Sequence, residues 1–363
     1  MWWDTATDVF TFRLSPRHDA ELLSGARMPT KREVLRTLMT VYDPIGLIGN
    51  LLMYLKILLQ EIWPRGCGWD DRISGKQAEK WLTWVEVFPE VQKVSVPRCY
   101  RRITSANTST DVQLHVFCDA SESRMATVAY FRFQQGEAIE CAIIGSKTRV
   151  APLKFLSIPR LELQAAVIGA RLATGIASSH RIKISRRVFW TDSRDVLCWL
   201  RSDHRRYNQF VALRISELLE TTEMDEWRWL STRSNVADEG TKWQKLPDFK
   251  PTSRWFCGPG FFVEAGERWP CNTEDPGTTT EEIRPSVLHH IITEPLVYFE
   301  RFSKWKRLLR AVAYVLRFIS NIRNKLNGCR LDEDSLSRWN WTVLSKLFIA
   351  RCNDKLIQMR FNY

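Results

Sequence analysis

What most limits the folds open to this chain is an ordered set of four acids, each at the end of a secondary-structure element. Val112-Gln113-Leu114-His115-Val116 alternates apolar and polar residues as a half-buried strand requires, and the strand runs out at Phe117-Cys118-Asp119-Ala120-Ser121. An Asp there is held stiffly, although an Asp that closes a strand is more often a turn residue, and one such position proves little. Glu162 follows at the opening of an apolar helix, in Ile158-Pro159-Arg160-Leu161-Glu162-Leu163. Asp192 ends a second strand, Val188-Phe189-Trp190-Thr191-Asp192, and Asp238 closes Asn235-Val236-Ala237-Asp238. Acids at termini in a strand, helix, strand, helix order can converge on one divalent-metal site, because hard cations take oxygen ligands.

The block from Val112 to Lys242 reads as α/β throughout. Strands at Ala126–Phe133 and Ala138–Ile144 can form an antiparallel meander with the Asp119 strand. A helix over Arg160–Ala177 carries Leu161, Ala165, Ile168 and Leu172 at helical spacing, with Glu162 one position off that stripe. A fourth strand at Arg187–Thr191, helices at Val196–Leu200 and Gln209–Leu219, and a fifth strand at Glu226–Leu230 complete a mixed five-stranded sheet flanked by helices. Ahead of it, Val9–Leu14 alternates like a strand, and Thr30 with Glu33 three residues later marks a capping box. That helix is interrupted at Tyr42-Asp43-Pro44-Ile45-Gly46, and Lys76–Phe88 is helical again with Trp81, Trp84, Val85 and Phe88 on one face. Past Lys250 the chain loosens into a linker, and Ser303–Lys325 then patterns as an amphipathic helix, with a second helix around Trp339–Ile349.

Composition narrows the partners. In 363 residues, 44% hydrophobic content and 16 Trp are enough for two or three domains with real cores, and a net charge of +12 favours a polyanion, nucleic acid first. Nine Cys without a CxxC pair give neither a disulfide framework nor a zinc ribbon, which points to a reducing compartment. The N-terminus lacks a signal-peptide pattern, and the most apolar run, Ile45–Trp63, is broken by Asn50, Lys56, Gln60 and Glu61, so it reads as a core helix. An intracellular setting, cytoplasmic or nuclear, without a membrane partner, is the expectation. Asp70-Asp71 precedes no strand and reads as a helix cap, Asp4-Thr5-Ala6 lacks the Gly of an aspartic-protease loop, and His289-His290 has no Cys pair and reads as surface.

Five stretches in order, Cys118-Asp119-Ala120-Ser121, Ser146–Leu153, Ser157–Leu163, Trp190-Thr191-Asp192-Ser193 and Asn235-Val236-Ala237-Asp238, resemble the ribonuclease H region of Pao/BEL-type retrotransposon polyproteins. Thr30-Lys31-Arg32 through Tyr42–Leu47 to Gln60–Trp63 resembles the segment after the polymerase palm of the same family, and Trp255–Pro270 with Trp305–Arg323 resembles its linker towards integrase. The resemblance implies a polymerase thumb/connection-like helical region over 1–105, a ribonuclease H-like domain over 108–245, a linker over 246–300 and a helical C-terminal extension over 301–363. It places the palm before Met1 and the integrase after Tyr363. It also implies hydrolysis of the RNA strand of RNA–DNA hybrids with two Mg²⁺ ions, or Mn²⁺ in their place. Asp119 would bridge the metals, Glu162 and Asp192 would hold one, and Asp238 the other.

Lys154 and Arg160 are then candidates for phosphate contacts. The basic clusters around Arg187 (Lys183, Arg186) and Arg205 (Arg201, Arg206) are candidates for gripping the hybrid, a solvated face being the alternative for any single residue. Some cellular ribonucleases H carry a mobile His before the last Asp, where this chain has Arg233-Ser234. The competing function is an inactive, decayed or domesticated polyprotein fragment that acts at most as a nucleic-acid-binding module, alone or with the remaining polyprotein domains.

Overall fold

A computed structural model describes residues 1–13, 20–66, 68–101, 110–242, 248–264, 266–270, 277, 279–284 and 303–326. It divides into two units, Met1–Arg284 and Pro285–Tyr363. In the first, β1 (Trp2–Asp4) and β2 (Val9–Thr11) form a hairpin whose turn is closed by Asp4. Its carboxylate accepts from the Ala6 N–H at 3.0 Å and from the Thr7 hydroxyl at 2.7 Å. The four helices that follow are α1 (Ala20–Leu23), α2 (Lys31–Thr40), α3 (Gly49–Ile62) and α4 (Lys76–Gln92). Strand β3 (Ser95–Pro97) then returns to pair with β2, which ends at Thr11; the expected end of that strand, Leu14, lies outside the described residues.

Local chemistry accounts for these boundaries. Helix α2 starts at the capping box: the Thr30 hydroxyl accepts from the Glu33 N–H at 3.2 Å, and the Glu33 carboxylate accepts from the Thr30 N–H at 2.8 Å. The turn into α3 is held by Asp43, whose carboxylate accepts the N–H groups of Gly46, Leu47 and Ile48 at 3.0, 2.9 and 2.9 Å. Helix α4 runs through Pro89, four residues past the expected end, and buries Trp81, Trp84 and Phe88 in a ring stack. Asp70 and Asp71 do not cap a helix. Asp70 pairs with Arg32 at 2.8 Å, and Asp71 accepts the Gly68 N–H at 2.7 Å, closing a turn well before α4 begins.

The main sheet has the order β6-β5-β4-β7-β8. Strands β4 (Asp111–Ala120), β5 (Arg124–Gln135) and β6 (Ala138–Val150) are the expected antiparallel meander, extended beyond the expected ends of its second and third strands. A two-residue turn with Gly136 at φ 60° joins β5 to β6. Helix α5 (Ile158–Ser179) crosses to β7 (Arg186–Thr191), parallel to β4, and α6 (Arg194–Arg201) and α7 (Gln209–Thr221) lead to β8 (Trp227–Trp229), parallel to β7. The fifth strand is three residues long because Met224–Glu226 is a 3-10 turn. Two short helices, α8 (Asp238–Thr241) and α9 (Arg254–Cys257), follow. The fold is therefore α/β, with the expected mixed five-stranded sheet flanked by helices.

One sheet face packs Leu114, Val116 and Cys118 against Leu161, Ala165 and Ile168 of α5. The other face is also covered, so β4 is not half-buried as its alternation suggested. Phe117, Val128, Tyr130 and Trp190 share a core with the first four helices and with Trp255, Phe262 and Trp269 from the segment read as linker. That segment is pinned by Arg132, which donates to the Phe262 and Glu264 carbonyls at 2.8 and 3.1 Å, and by the Tyr130 hydroxyl, which donates to the Trp255 carbonyl at 2.6 Å. His115 is completely buried there and accepts from Trp190 Nε1 at 3.1 Å. Helix α3 covers the outer edge at β6, where Lys56 donates to the Thr148 carbonyl at 3.2 Å and Gln60 to the Ala151 carbonyl at 2.6 Å.

In the second unit, α10 (Trp305–Leu326) is the expected amphipathic helix, with Leu308, Leu309 and Ala313 buried and Lys306 and Arg310 exposed. The expected second helix around Trp339–Ile349 and the His289-His290 pair lie outside the described residues. No helix among the described residues is long and apolar enough to cross a membrane.

Candidate metal centre

Parallel pairing of β4 with β7 sets Cys118 opposite Thr191, so Asp119 and Asp192 leave adjacent strand ends side by side. Helix α8 brings the third acid. Its Gly240 lies so close to β5 that a Cβ would come within 2.7 Å of the Ala126 side chain, and Ala126 is the register partner of Asp119. Any larger residue would lift the helix away from the strand. The result is that carboxylate oxygens of Asp119, Asp192 and Asp238 all lie within 4.8 Å of one another, with Asp119 buried and the other two half-buried.

Neutral donors and one cation hold the acids in place. The Thr241 hydroxyl donates to Asp119 Oδ2, and Ser121 donates to the Thr241 carbonyl at 3.3 Å. Asp192 accepts from the Thr232 hydroxyl at 2.6 Å and from Asn235 Nδ2 at 3.2 Å. The same Asn235 amide donates to the Cys118 carbonyl at 3.0 Å, which ties the loop before α8 to the end of β4. Lys242 pairs with Asp238 at 2.6 Å, one helical turn away.

The charge is not balanced. Burial, and then the charge of Asp192, push the Asp119 carboxyl up to about 8, with Asp238 adding to this and the Thr241 hydrogen bond and Lys242 opposing it. Burial likewise pushes Glu162 up to about 7, against a hydrogen bond from Ser193 and with a further push from Asp192. Glu162 therefore stands beside Asp192, but it does not join the three acids whose oxygens fall within 4.8 Å. Of the four expected acids, three meet directly and the fourth is a neighbour.

The basic candidates fare differently. Lys154 is exposed in the loop between β6 and α5, and Arg205 is exposed in the turn before α7. Arg160 makes two hydrogen bonds to Glu282, at 2.6 and 2.8 Å, and Arg187 makes two to Glu226, at 2.8 and 3.0 Å, so both guanidinium groups are engaged within the chain. Sequence reasoning overlooked Ser193, Thr232, Asn235, Thr241 and Lys242 as supports. Only the Asp238–Lys242 spacing of four carried a legible signal, since an acid and a lysine so spaced pair on one helix face.

An all-oxygen set of three carboxylates facing a single lysine suits a hard divalent cation such as Mg²⁺ or Mn²⁺, and the uncompensated negative charge around buried Asp119 is what such an ion would neutralise.

Residues 30–193 match the family model described as "Pao retrotransposon-like RNaseH-like domain", a span that takes in α2 to β7 and includes Asp119, Glu162 and Asp192. Among solved structures, the N-terminal RNase H domain of a Mycobacterium tuberculosis protein, fused to maltose-binding protein, is similar at 9% identity over 37% of this chain and 91% of that chain, with a TM-score of 0.25. No curated protein matches the chain.

Proposed function

Because residues 30–193 match the model of a Pao retrotransposon-like RNaseH-like domain, we propose that this chain hydrolyses the RNA strand of RNA–DNA hybrids at the Asp119, Asp192, Asp238 centre with divalent cations. The observation that carries the reading is the convergence of three carboxylates within 4.8 Å around a buried Asp119. Asp119, Asp192 and Asp238 would hold Mg²⁺, with Glu162 as the fourth acid that the family resemblance implies. Bound Mg²⁺ would supply an activated water and neutralise charge on the phosphoryl oxygens. The protein's own work is to aim the ligands. Thr232 and Asn235 fix both oxygens of Asp192, Thr241 fixes one of Asp119, and Lys242 limits the swing of Asp238. Glu162, with its carboxyl pushed up to about 7, can hold or release a proton near neutrality beside the reacting phosphate.

Lys154 and Arg205, both exposed, serve as phosphate contacts, and the helices of residues 1–105 act as the thumb/connection-like part that flanks the hybrid. The setting that goes with this reading is intracellular, among the other domains of a polyprotein. The experiment is cleavage of an end-labelled RNA–DNA hybrid by the purified chain with and without Mg²⁺. Mg²⁺-dependent cleavage of the RNA strand is expected. Binding of the hybrid without cleavage would instead assign the chain to non-catalytic nucleic-acid binding.

A further inference from the structure

The loop that joins β6 to α5 turns its largest apolar side chains outward. Leu153 is 69% exposed and Phe155 is 86% exposed, with exposed Lys154 between them, while the next residue, Leu156, packs on the core. The loop is anchored at both ends. The Ala151 N–H donates to the Ser123 carbonyl at 2.8 Å, Gln60 donates to the Ala151 carbonyl at 2.6 Å, and the Ser157 carbonyl accepts the first turn of α5 through the Leu161 N–H at 3.1 Å.

Register fixes where this loop stands. Asp119, Ala126 and Thr148 form one row across β4, β5 and β6, and the loop leaves β6 two residues beyond that row, at the same end of the sheet as the acids. Its other end opens α5, one turn before Glu162. Lys147 and Arg149 flank Thr148 at alternate positions, so they project from one face of β6, and both are exposed. Neither they nor Lys154 has a carboxylate partner among the described residues. Three exposed cations thus accompany two apolar side chains in water at the acids' end of the sheet, with Lys147 and Arg149 on the face opposite the one that Thr148 shares with Asp119.

We propose that Leu153 and Phe155 form an apolar lip that seats in the minor groove of the hybrid, while Lys147, Arg149 and Lys154 contact the flanking phosphates. The inference rests on the hybrid-cleaving function given above and names the surface that positions its substrate. Phosphates call for cations, and the wide, shallow minor groove of an A-like duplex offers sugar and base-edge surface on which apolar side chains can lie. A substrate held there would be registered against the acids by a lip that carries no chemistry of its own.

The test uses the full chain, with a Leu153→Ser/Phe155→Ser double variant, Phe155→Tyr, and Lys154→Ala. Binding to a fluorescein-labelled RNA–DNA hybrid is measured in EDTA across a salt series, and cleavage is measured separately in Mg²⁺. Both apolar residues are exposed, so melting temperatures should match wild type. The double variant should bind roughly tenfold more weakly with an unchanged salt slope, and its KM should rise with kcat retained. Phe155→Tyr should keep wild-type binding, and Lys154→Ala should lower the salt slope by about one. Wild-type binding by the double variant would overturn the lip, including the case in which these residues meet a protein partner instead. Binding decides the lip, and cleavage decides the hydrolytic function. A wild-type chain that binds the hybrid without cutting it overturns only the latter, one that cuts it without binding it in EDTA overturns only the lip, and one that does neither overturns both.

Discussion

Asp119 is placed differently from the other acids in ways that set its mutational behaviour. It stands at the end of a central strand, almost fully buried, with a single hydroxyl partner, whereas Asp238 starts a four-residue helix and is half-buried beside Lys242. Asp119→Asn is expected to abolish hybrid cleavage, since no other acid can take its position. Asp238→Asn is expected to slow it by about tenfold to a hundredfold, the equivalent of ~1.5–3 kcal/mol for one charge-assisted ligand, and to be partly rescued by more metal. A metal titration of cleavage by the two variants checks the ranking, and equal, unrescued loss in both would refute it. The raised carboxyl of Asp119 has a second consequence. Because its folded value, about 8, lies above the ordinary 3.8, its favourable contribution is complete below pH 3.8 and is lost as pH rises through about 8. At neutral pH the metal-free native state therefore carries a penalty that Asp119→Asn removes. Thermal denaturation in EDTA at pH 7.5 should show a higher Tm for the variant, and the difference should shrink at pH 4.

Among the elements, the segment around α9 shows the clearest division between what the sequence discloses and what it does not. Trp255 is fully buried, its indole N–H donates to the Leu47 carbonyl at 2.8 Å, and its ring lies near Gly240 of α8. Trp255→Ala should cost about 3–5 kcal/mol through the cavity and the stranded carbonyl. By loosening α8 it should also weaken metal binding through Asp238. Denaturant melts and a metal titration followed by Tm test the two parts separately, and an unchanged metal affinity would show that α8 is held from elsewhere. Strands, α5 and the order of the acids were legible because hydrophobic period and terminal position are local signals, as Leu161, Ala165 and Ile168 show. The second cover over β4 was not legible, because Trp255, Phe262 and Trp269 sit among Gly, Pro and short 3-10 turns with no period to read. The same cause hid the burial of His115, whose polar character placed it on a solvent face until a distant segment came to cover it. The supports of the centre escaped for a related reason, since Thr232 and Asn235 become partners of Asp192 only once β7 and the loop before α8 are brought together.

At the scale of the whole first unit, the five-stranded sheet does not close its own surfaces. Its outer edge strand, β6, receives Ile45, Lys56 and Gln60 from the N-terminal region, with the Ser146 N–H donating to the Ile45 carbonyl at 2.9 Å. The face bearing Phe117, Tyr130 and Trp190 is covered by Leu47, Leu51 and Leu55 from one side of the sequence and by Trp255 and Phe262 from the other. A fragment limited to 108–245, the span that the family resemblance marks as the domain, would expose that face and present a bare strand edge to other copies. It is expected to aggregate or to melt without a cooperative transition. A fragment of residues 1–284 should instead unfold in a single transition, because one core joins its N-terminal helices to the sheet. Expressing both and comparing their size-exclusion profiles and thermal melts decides between these outcomes. A soluble, cooperatively folded 108–245 fragment that still raises its Tm with Mg²⁺ would show that the acidic centre needs neither flank. If it fails while 1–284 keeps the metal response, the helices ahead of β4 and the aromatic segment after α8 are parts of the scaffold that holds Asp119, Asp192 and Asp238 within ligand distance.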